Sequence, residues 1–441
     1  MKNFIFEYAA TAHIDSSALG AAQAKLLHEI GHIKKALAQT QYETQYSSVY
    51  LAHDERMHAD VQKLIAQKKK LSPTVLIVIG IGGSNLGTMA VHQALQGILY
   101  NALNPLLRVY FADTVDTDSM ASMLGLVKSE YEKGNTVLLN VISKSGATAE
   151  TVANFELFLE QLKKNRPDTW HEQVVVTTDK NSHLWHWGQK NGCSVVEIPS
   201  TVGGRYSVLS PVGLFPLGFL GIDIKALCTG ARDILKNCSD TDLRINYAAI
   251  GAAAAYSLYQ KGFAIHDLFM FDPAFELLGK WNRQLVAESL GKKFAIGGSV
   301  VEVGILPTVS IGSTDLHAIG QRYLGGAYTV FTTFVSVAQQ SQSVTLPQWS
   351  EFDTLVNHIQ GKSLEAIMDA IIVGTKFAYR QDERPFISIE FPQKSAYYIG
   401  QFMQYKMVET MYLAHLFDVN PFDQPNVEQY KLETKRILAN E

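Results

Sequence analysis

Between Ile142 and Ala149 the chain reads Ser143-Lys144-Ser145-Gly146-Ala147-Thr148, a turn that offers three hydroxyls, one ammonium and one glycine. Set between an apolar run and a helical pattern, these groups suit a dianion. Hydroxyls supply directional donors, Gly146 lets the backbone approach a ligand, and the first N–H groups of a helix lack intrahelical partners. A plain N-cap is the alternative, since Ser and Thr are the usual residues at that position. A second turn, Gly80-Ile81-Gly82-Gly83-Ser84-Asn85-Leu86-Gly87, adds Ser84 behind Gly82 and Gly83. It also resembles a dinucleotide loop, with Asp113 able to supply the acidic residue that ends the next strand. Two turns that both donate to one phosphate favour a sugar phosphate over a dinucleotide.

Other residues carry chemistry singly. Arg205, behind Gly203-Gly204, is able to meet anionic charge in a site, or to make a surface salt bridge, the commoner fate of an arginine. Glu288 lies at the end of a helical pattern, where a carboxylate is electrostatically unwelcome. His317 follows Ser313-Thr314-Asp315-Leu316, and Lys431 closes Asn420-Pro421-Phe422-Asp423-Gln424-Pro425-Asn426-Val427-Glu428-Gln429-Tyr430. Each of the last three has a second reading as a solvated helix residue or a cap, and composition does not choose. His171, His183 and His186 lack a cysteine or acidic partner at ligand spacing, so no metal is expected.

The elements that must position these groups follow from hydrophobic pattern. Apolar runs predict strands at 75–79, 107–112, 137–142, 174–178 and 195–199, with helices between them. Such alternation calls for a parallel sheet whose carboxyl edge holds the ligand. The second half repeats it less tidily, with strands at 266–271, 329–337 and 386–391, and helices at 246–260, 274–289, 364–379 and 395–415. Two α/β domains result: a helical segment over 1–72, a first domain over 73–230, a second over 231–420, and a C-terminal segment with a helix over 421–441.

Composition sets the outer limits. The 441 residues exceed what one core usually supports, which also argues for two domains. A net charge of −4 gives no hint of a nucleic-acid partner. The most apolar windows fall short of the roughly 20 residues that span a bilayer, so no membrane partner is expected. Three cysteines without disulfide or CxxC spacing fit a reducing cytoplasm.

The motifs GIGGSNLG, SKSGATAET, GGRYS, ESLGK, STDLHAIGQ and NPFDQPNVEQYK, in that order from about Val75 to Lys431, together resemble the glucose-6-phosphate isomerase family in its compact bacterial form. The resemblance implies two sugar-isomerase (SIS) domains, each a parallel sheet flanked by helices. It also implies reversible conversion of glucose 6-phosphate and fructose 6-phosphate through a cis-enediolate, without cofactor or metal, in glycolysis and gluconeogenesis. By the same resemblance Gly83, Ser84, Ser143, Lys144, Ser145 and Thr148 would bind the substrate phosphate end, and Gln424 would contact the sugar. Arg205 would stabilise the enediolate, Glu288 would carry the proton between C1 and C2, and His317 with Lys431 would assist ring opening. A homodimer with His317 contributed across the interface is implied as well.

Two positions depart from the family pattern. Ala147 stands where threonine is frequent and Asn426 where glycine is common, but neither removes a catalytic group. A non-catalytic sensor of sugar phosphates would not need Glu288, His317 and Lys431. An aminating synthase of the same domain would need a cysteine near its N-terminus, whereas the first here is Cys193.

Overall fold

The computed structural model describes residues 2–439, apart from the side chains of Ser16, Ala18, Leu19 and Gln23. Its strands are β1 (Ile5–Glu7), β2 (Val75–Ile79), β3 (Arg108–Ala112), β4 (Val137–Ser143), β5 (Val174–Asp179) and β6 (Ser194–Ile198). β7 (Ile265–Met270), β8 (Lys292–Phe294), β9 (Val300–Val303), β10 (Leu306–Ile311), β11 (Val330–Val337) and β12 (Phe386–Phe391) follow. The helices of the first half are α1 (Ser16–Ala38), α2 (Glu55–Lys69), α3 (Leu86–Gln96), α4 (Thr117–Glu132), α5 (Ala149–Asn165), α6 (His183–Lys190) and α7 (Pro211–Phe219). Those of the second are α8 (Ile224–Cys238), α9 (Tyr247–Gln260), α10 (Glu276–Leu290), α11 (Gly320–Gly325), α12 (Leu364–Gln381), α13 (Ala396–Leu416) and α14 (Glu428–Leu438).

β2 and β4 are apolar runs with two exceptions, Asn140 and the closing Ser143, and every residue of both is buried. Strands buried on both faces demand helices on both sides, and this forces the parallel arrangement read from the sequence. The first sheet runs β3-β2-β4-β5-β6, all parallel. Its first strand lies inside, so the order reverses between β2 and β4, where a crevice opens beyond the carboxyl ends. Capping fixes where several helices start: Asp54, Asp116, Asp223 and Asn246 each accept from the N–H three residues on, at the heads of α2, α4, α8 and α9.

The second sheet runs β1-β12-β11-β7-β10. β12, β11 and β7 are parallel, as expected, and are joined by a parallel edge strand not read from the sequence, β10, while β1 adds an antiparallel edge, with Ile5 opposite Glu390 and Glu7 opposite Ser388. The segment 1–72 is therefore more than a helical preface. Phe4 accounts for this: it is buried between Tyr247, Phe391 and Tyr405, and its N–H donates to Gln401 Oε1 at 3.0 Å. The chain also does not break at residue 230, which lies inside α8. There the backbone of α8 meets that of α13: a Cβ on Gly230 would sit 1.8 Å from the Tyr397 carbonyl, and one on Gly400 would sit 2.0 Å from that of Leu227. Only glycine fits at either crossing point. Apart from His415, every residue of α13 is buried, so this helix runs through the core against α8, α9 and α10.

Cys193, Cys228 and Cys238 are buried and free. Among the described residues, no helix is long and apolar enough to cross a membrane.

Candidate active site

At the carboxyl end of β4, Ser143 is buried and its Oγ lies 3.0 Å from Thr148 Oγ1. The same Oγ accepts from Gly146 N at 3.1 Å, while the exposed Ser145 turns its Oγ to Ala147 N at 3.3 Å. Thr148 is the N-cap residue of α5, yet its hydroxyl makes no capping bond. A plain cap would spend the hydroxyl on the helix N–H groups, and Thr148 does not. Those groups have no side-chain acceptor among the described residues and suit an anion. Burial pulls the Lys144 ammonium below its ordinary pKa, opposed by the Asp179 carboxylate.

β2 pairs with β4, Ile79 opposite Val141, so the turn that carries Gly83 and Ser84 emerges beside the Ser143 turn. Gly83 in turn meets Gly204: a Cβ added to Gly83 would lie 2.3 Å from the Gly204 carbonyl carbon. Ser207 Oγ closes the contact by donating to the Gly83 carbonyl at 3.2 Å. This backbone-to-backbone approach brings the next residue, Arg205, into the crevice.

Arg205 is 6% exposed and uses its whole guanidinium. Nε donates to Ser289 Oγ at 3.1 Å, and Nη1 donates to Glu288 Oε2 at 3.0 Å and to Gln424 Oε1. Nη2 donates to the carbonyls of Pro421 at 2.8 Å and Asp423 at 3.2 Å. A fully bonded guanidinium is the form in which a buried cation persists. Glu288, two residues before the end of α10, keeps 33% of its side chain exposed. Its other oxygen accepts from Gln284 Nε2 at 3.3 Å. A carboxylate open on one side and fixed against a cation on the other is able to take a proton while the cation meets negative charge nearby.

The structure thus joins Arg205, Glu288 and Gln424, and sets Ser84 beside the Ser143–Thr148 turn. It does not bring His317 or Lys431 into the hydrogen-bonded group. His317 ends the turn after β10 and is exposed, and Lys431 sits on α14, paired with Glu428 at 2.7 Å. Gln284, Ser289, Lys292 and the Asp423 carbonyl went unread in the sequence. Gln284 stands four residues before Glu288, a spacing that puts a helical neighbour within reach, whereas Lys292 lies just past the helix, in β8. Nothing in the pattern marks Ser289. Among the described residues no group of three or more His, Cys, Asp or Glu side chains is arranged to hold a metal ion. A groove of about 360 Å³ between α2 and the α7–α8 connection is lined by none of these residues.

The model of the phosphoglucose isomerase family matches residues 55–441. A glucose-6-phosphate isomerase of Carboxydothermus hydrogenoformans is 33% identical over 401 residues, 89% of this chain and 84% of that protein. The Streptococcus thermophilus enzyme of the same name is 33% identical over 381 residues, 85% of this chain and 82% of its own. Among solved structures, a hypothetical protein of Thermus thermophilus superposes with a TM-score of 0.86 at 27% identity, covering 99% of this chain and 100% of that one. A glucose-6-phosphate isomerase of Chlamydia trachomatis shares the fold, with a TM-score of 0.82 at 21% identity over 100% of this chain and 89% of its own. By fold and relatives, this is an enzyme of the aldose–ketose isomerase class. Since the family match spans most of its length, the chain belongs to the phosphoglucose isomerase family.

Proposed function

We propose that this chain interconverts glucose 6-phosphate and fructose 6-phosphate through a cis-enediolate. The observation that carries the reading is the 3.0 Å contact between a half-exposed Glu288 carboxylate and a buried, fully bonded Arg205. Isomerising an aldose to a ketose removes a weakly acidic C–H beside a carbonyl and returns the proton to the neighbouring carbon. One carboxylate that reaches both carbons does this without a redox step. Arg205 then meets the charge that develops on oxygen, and it remains a cation at any working pH.

Ser84, Ser143, Lys144, Ser145 and Thr148, with Gly83 and the head of α5, hold the phosphate in this reading, and Gln424 contacts the sugar. His317 and Lys431 open the ring. His317 is exposed on its own chain, which agrees with a homodimer in which it serves the neighbouring copy. A cytoplasmic enzyme of glycolysis and gluconeogenesis fits this reading, and the two sheets, the first complete before α8 and the second built mainly from strands after it, would supply the two halves of the site.

A coupled assay that follows glucose 6-phosphate formed from fructose 6-phosphate tests the activity, and its absence would sink the proposal. Deuterium at C2 of glucose 6-phosphate tests the route: one shared base delivers part of the label to C1 and loses part to water. Full retention would indicate hydride transfer instead.

A further inference from the structure

The Pro421–Gln424 loop supplies three of Arg205's five acceptors, yet it lies more than 200 residues away along the chain. What fixes that loop is a second cation. Lys292, the first residue of β8, is 5% exposed at its side chain. Its ammonium donates to the Glu288 carbonyl at 2.8 Å and to the Asp423 carbonyl at 2.6 Å, and stands 3.1 Å from Asp423 Oδ1. The Asp423 carbonyl is the same atom that accepts from Arg205 Nη2. Two buried cations therefore converge on one backbone oxygen, and both are also bonded to Glu288, Arg205 at its carboxylate and Lys292 at its carbonyl.

We infer that Lys292 is a positioning residue that clasps the Pro421–Gln424 loop to the C-terminal end of α10 and so keeps Arg205 and Gln424 in register with Glu288. The inference rests on the reading of Arg205 and Glu288 as the reacting pair. A lysine at this place has a simpler role open to it, as a cation that satisfies the last carbonyl groups of a helix. Such a cap needs only the Glu288 carbonyl. The Asp423 contacts serve the loop instead. Burial costs the ammonium enough to pull its pKa down, against the opposing pull of Asp423. The loop has its own braces, with Asn420 Nδ2 donating to Asp423 Oδ2 at 3.1 Å and Phe422 packed on Tyr46 and Tyr206, with ring centroids 4.8 and 5.4 Å apart. Of these only Tyr206 reaches α10, where its hydroxyl lies 3.2 Å from Ser289 Oγ. Lys292 is the second charged side chain, beside Arg205, that ties loop and helix together.

The test uses Lys292→Met, which keeps the methylene bulk and removes the donors, and Lys292→Arg, which restores a cation. For Lys292→Met, kcat should fall by about tenfold or more, while KM changes less than about threefold because the phosphate turn is untouched. Lys292→Arg should recover most of the loss. Combined with Arg205→Lys, Lys292→Met should cost much less than it does alone, because the lysine acts through the arginine. Hydrogen exchange supplies a readout independent of catalysis: amides of 420–424 should exchange about tenfold faster in Lys292→Met, with those of 137–148 unchanged. If Lys292→Met does not fold, Asp423→Asn, which removes the charge facing the ammonium and keeps an oxygen for Asn420 Nδ2, should show a smaller loop-confined rise in exchange. Unchanged exchange of the loop, or a kcat within twofold of the parent, overturns the inference and leaves the lysine as a helix cap. A parent protein that fails to isomerise fructose 6-phosphate, with loop exchange still rising as stated, overturns the proposed function and keeps the clasp.

Discussion

Arg205 has no donor left to give, so its charge is fixed before any substrate arrives. A cation held in this way does not have to reorganise as negative charge appears beside it, which is the condition under which electrostatic stabilisation counts most. The carboxylate it touches should then be the group that limits the chemistry. Glu288→Gln keeps the shape and an oxygen acceptor for the guanidinium but cannot take a proton. Steady-state kinetics should show kcat reduced by about 10²- to 10⁴-fold with KM nearly unchanged. A rate within a few-fold of the parent would assign the base elsewhere. The turn after β4 makes a contrasting prediction. With Ser145 and Thr148 both changed to alanine, two donors to a dianion are lost, each worth about 1.5 to 3 kcal/mol. KM should rise by about tenfold or more and kcat should move less. An unaltered KM would mean that the hydroxyls serve only the turn.

The first sheet depends on a tie at the level of its elements, and that tie is acid-sensitive. Glu130, near the end of α4, is 2% exposed, and its Oε2 receives Arg108 at 2.7 Å from β3, Thr74 at 2.8 Å from just before β2, and Asn135 at 3.0 Å. Burial alone would raise its pKa, but these bonds hold the carboxyl down at about 2, against an ordinary 4.5. A depressed carboxylate adds stability that is complete above pH 4.5 and is lost as pH falls toward about 2. Glu130→Gln should cost about 2 kcal/mol near neutrality and flatten that acid limb, as measured by denaturant unfolding across pH. The strands joined here were legible beforehand because continuous apolar runs such as Val75–Ile79 have no other stable home. β10 was not, since its Thr308 and Ser310 look unlike core residues. Their hydroxyls donate to the buried Asp267 of β7 at 2.7 and 3.0 Å, a partner that no local pattern reveals. The site divides in the same way. Hydroxyls grouped within one turn could be read, whereas Arg205 and Glu288, 83 positions apart, met on the page only through resemblance.

For the whole molecule, the feature with the longest reach is the short strand β1. Phe4 just before it is 1% exposed, and Phe4→Ala should cost about 3 to 5 kcal/mol in denaturant unfolding. Amide exchange should show where the loss falls: β11 and β12 open more readily, while β2 and β4 keep their protection. Equal loosening of both sheets would instead mean that the halves respond as one unit. β1 also imposes a schedule on synthesis. Its residues leave the ribosome long before the strand they pair with, which ends at Phe391. At roughly 5 to 20 residues per second, the opening strand waits on the order of tens of seconds for its partner. All strands of the first sheet emerge before residue 200 and are free to assemble during that interval. A nascent chain arrested after β6 but before β12 is made would therefore carry one finished sheet and one with its border still open, and bare sheet borders recruit other chains.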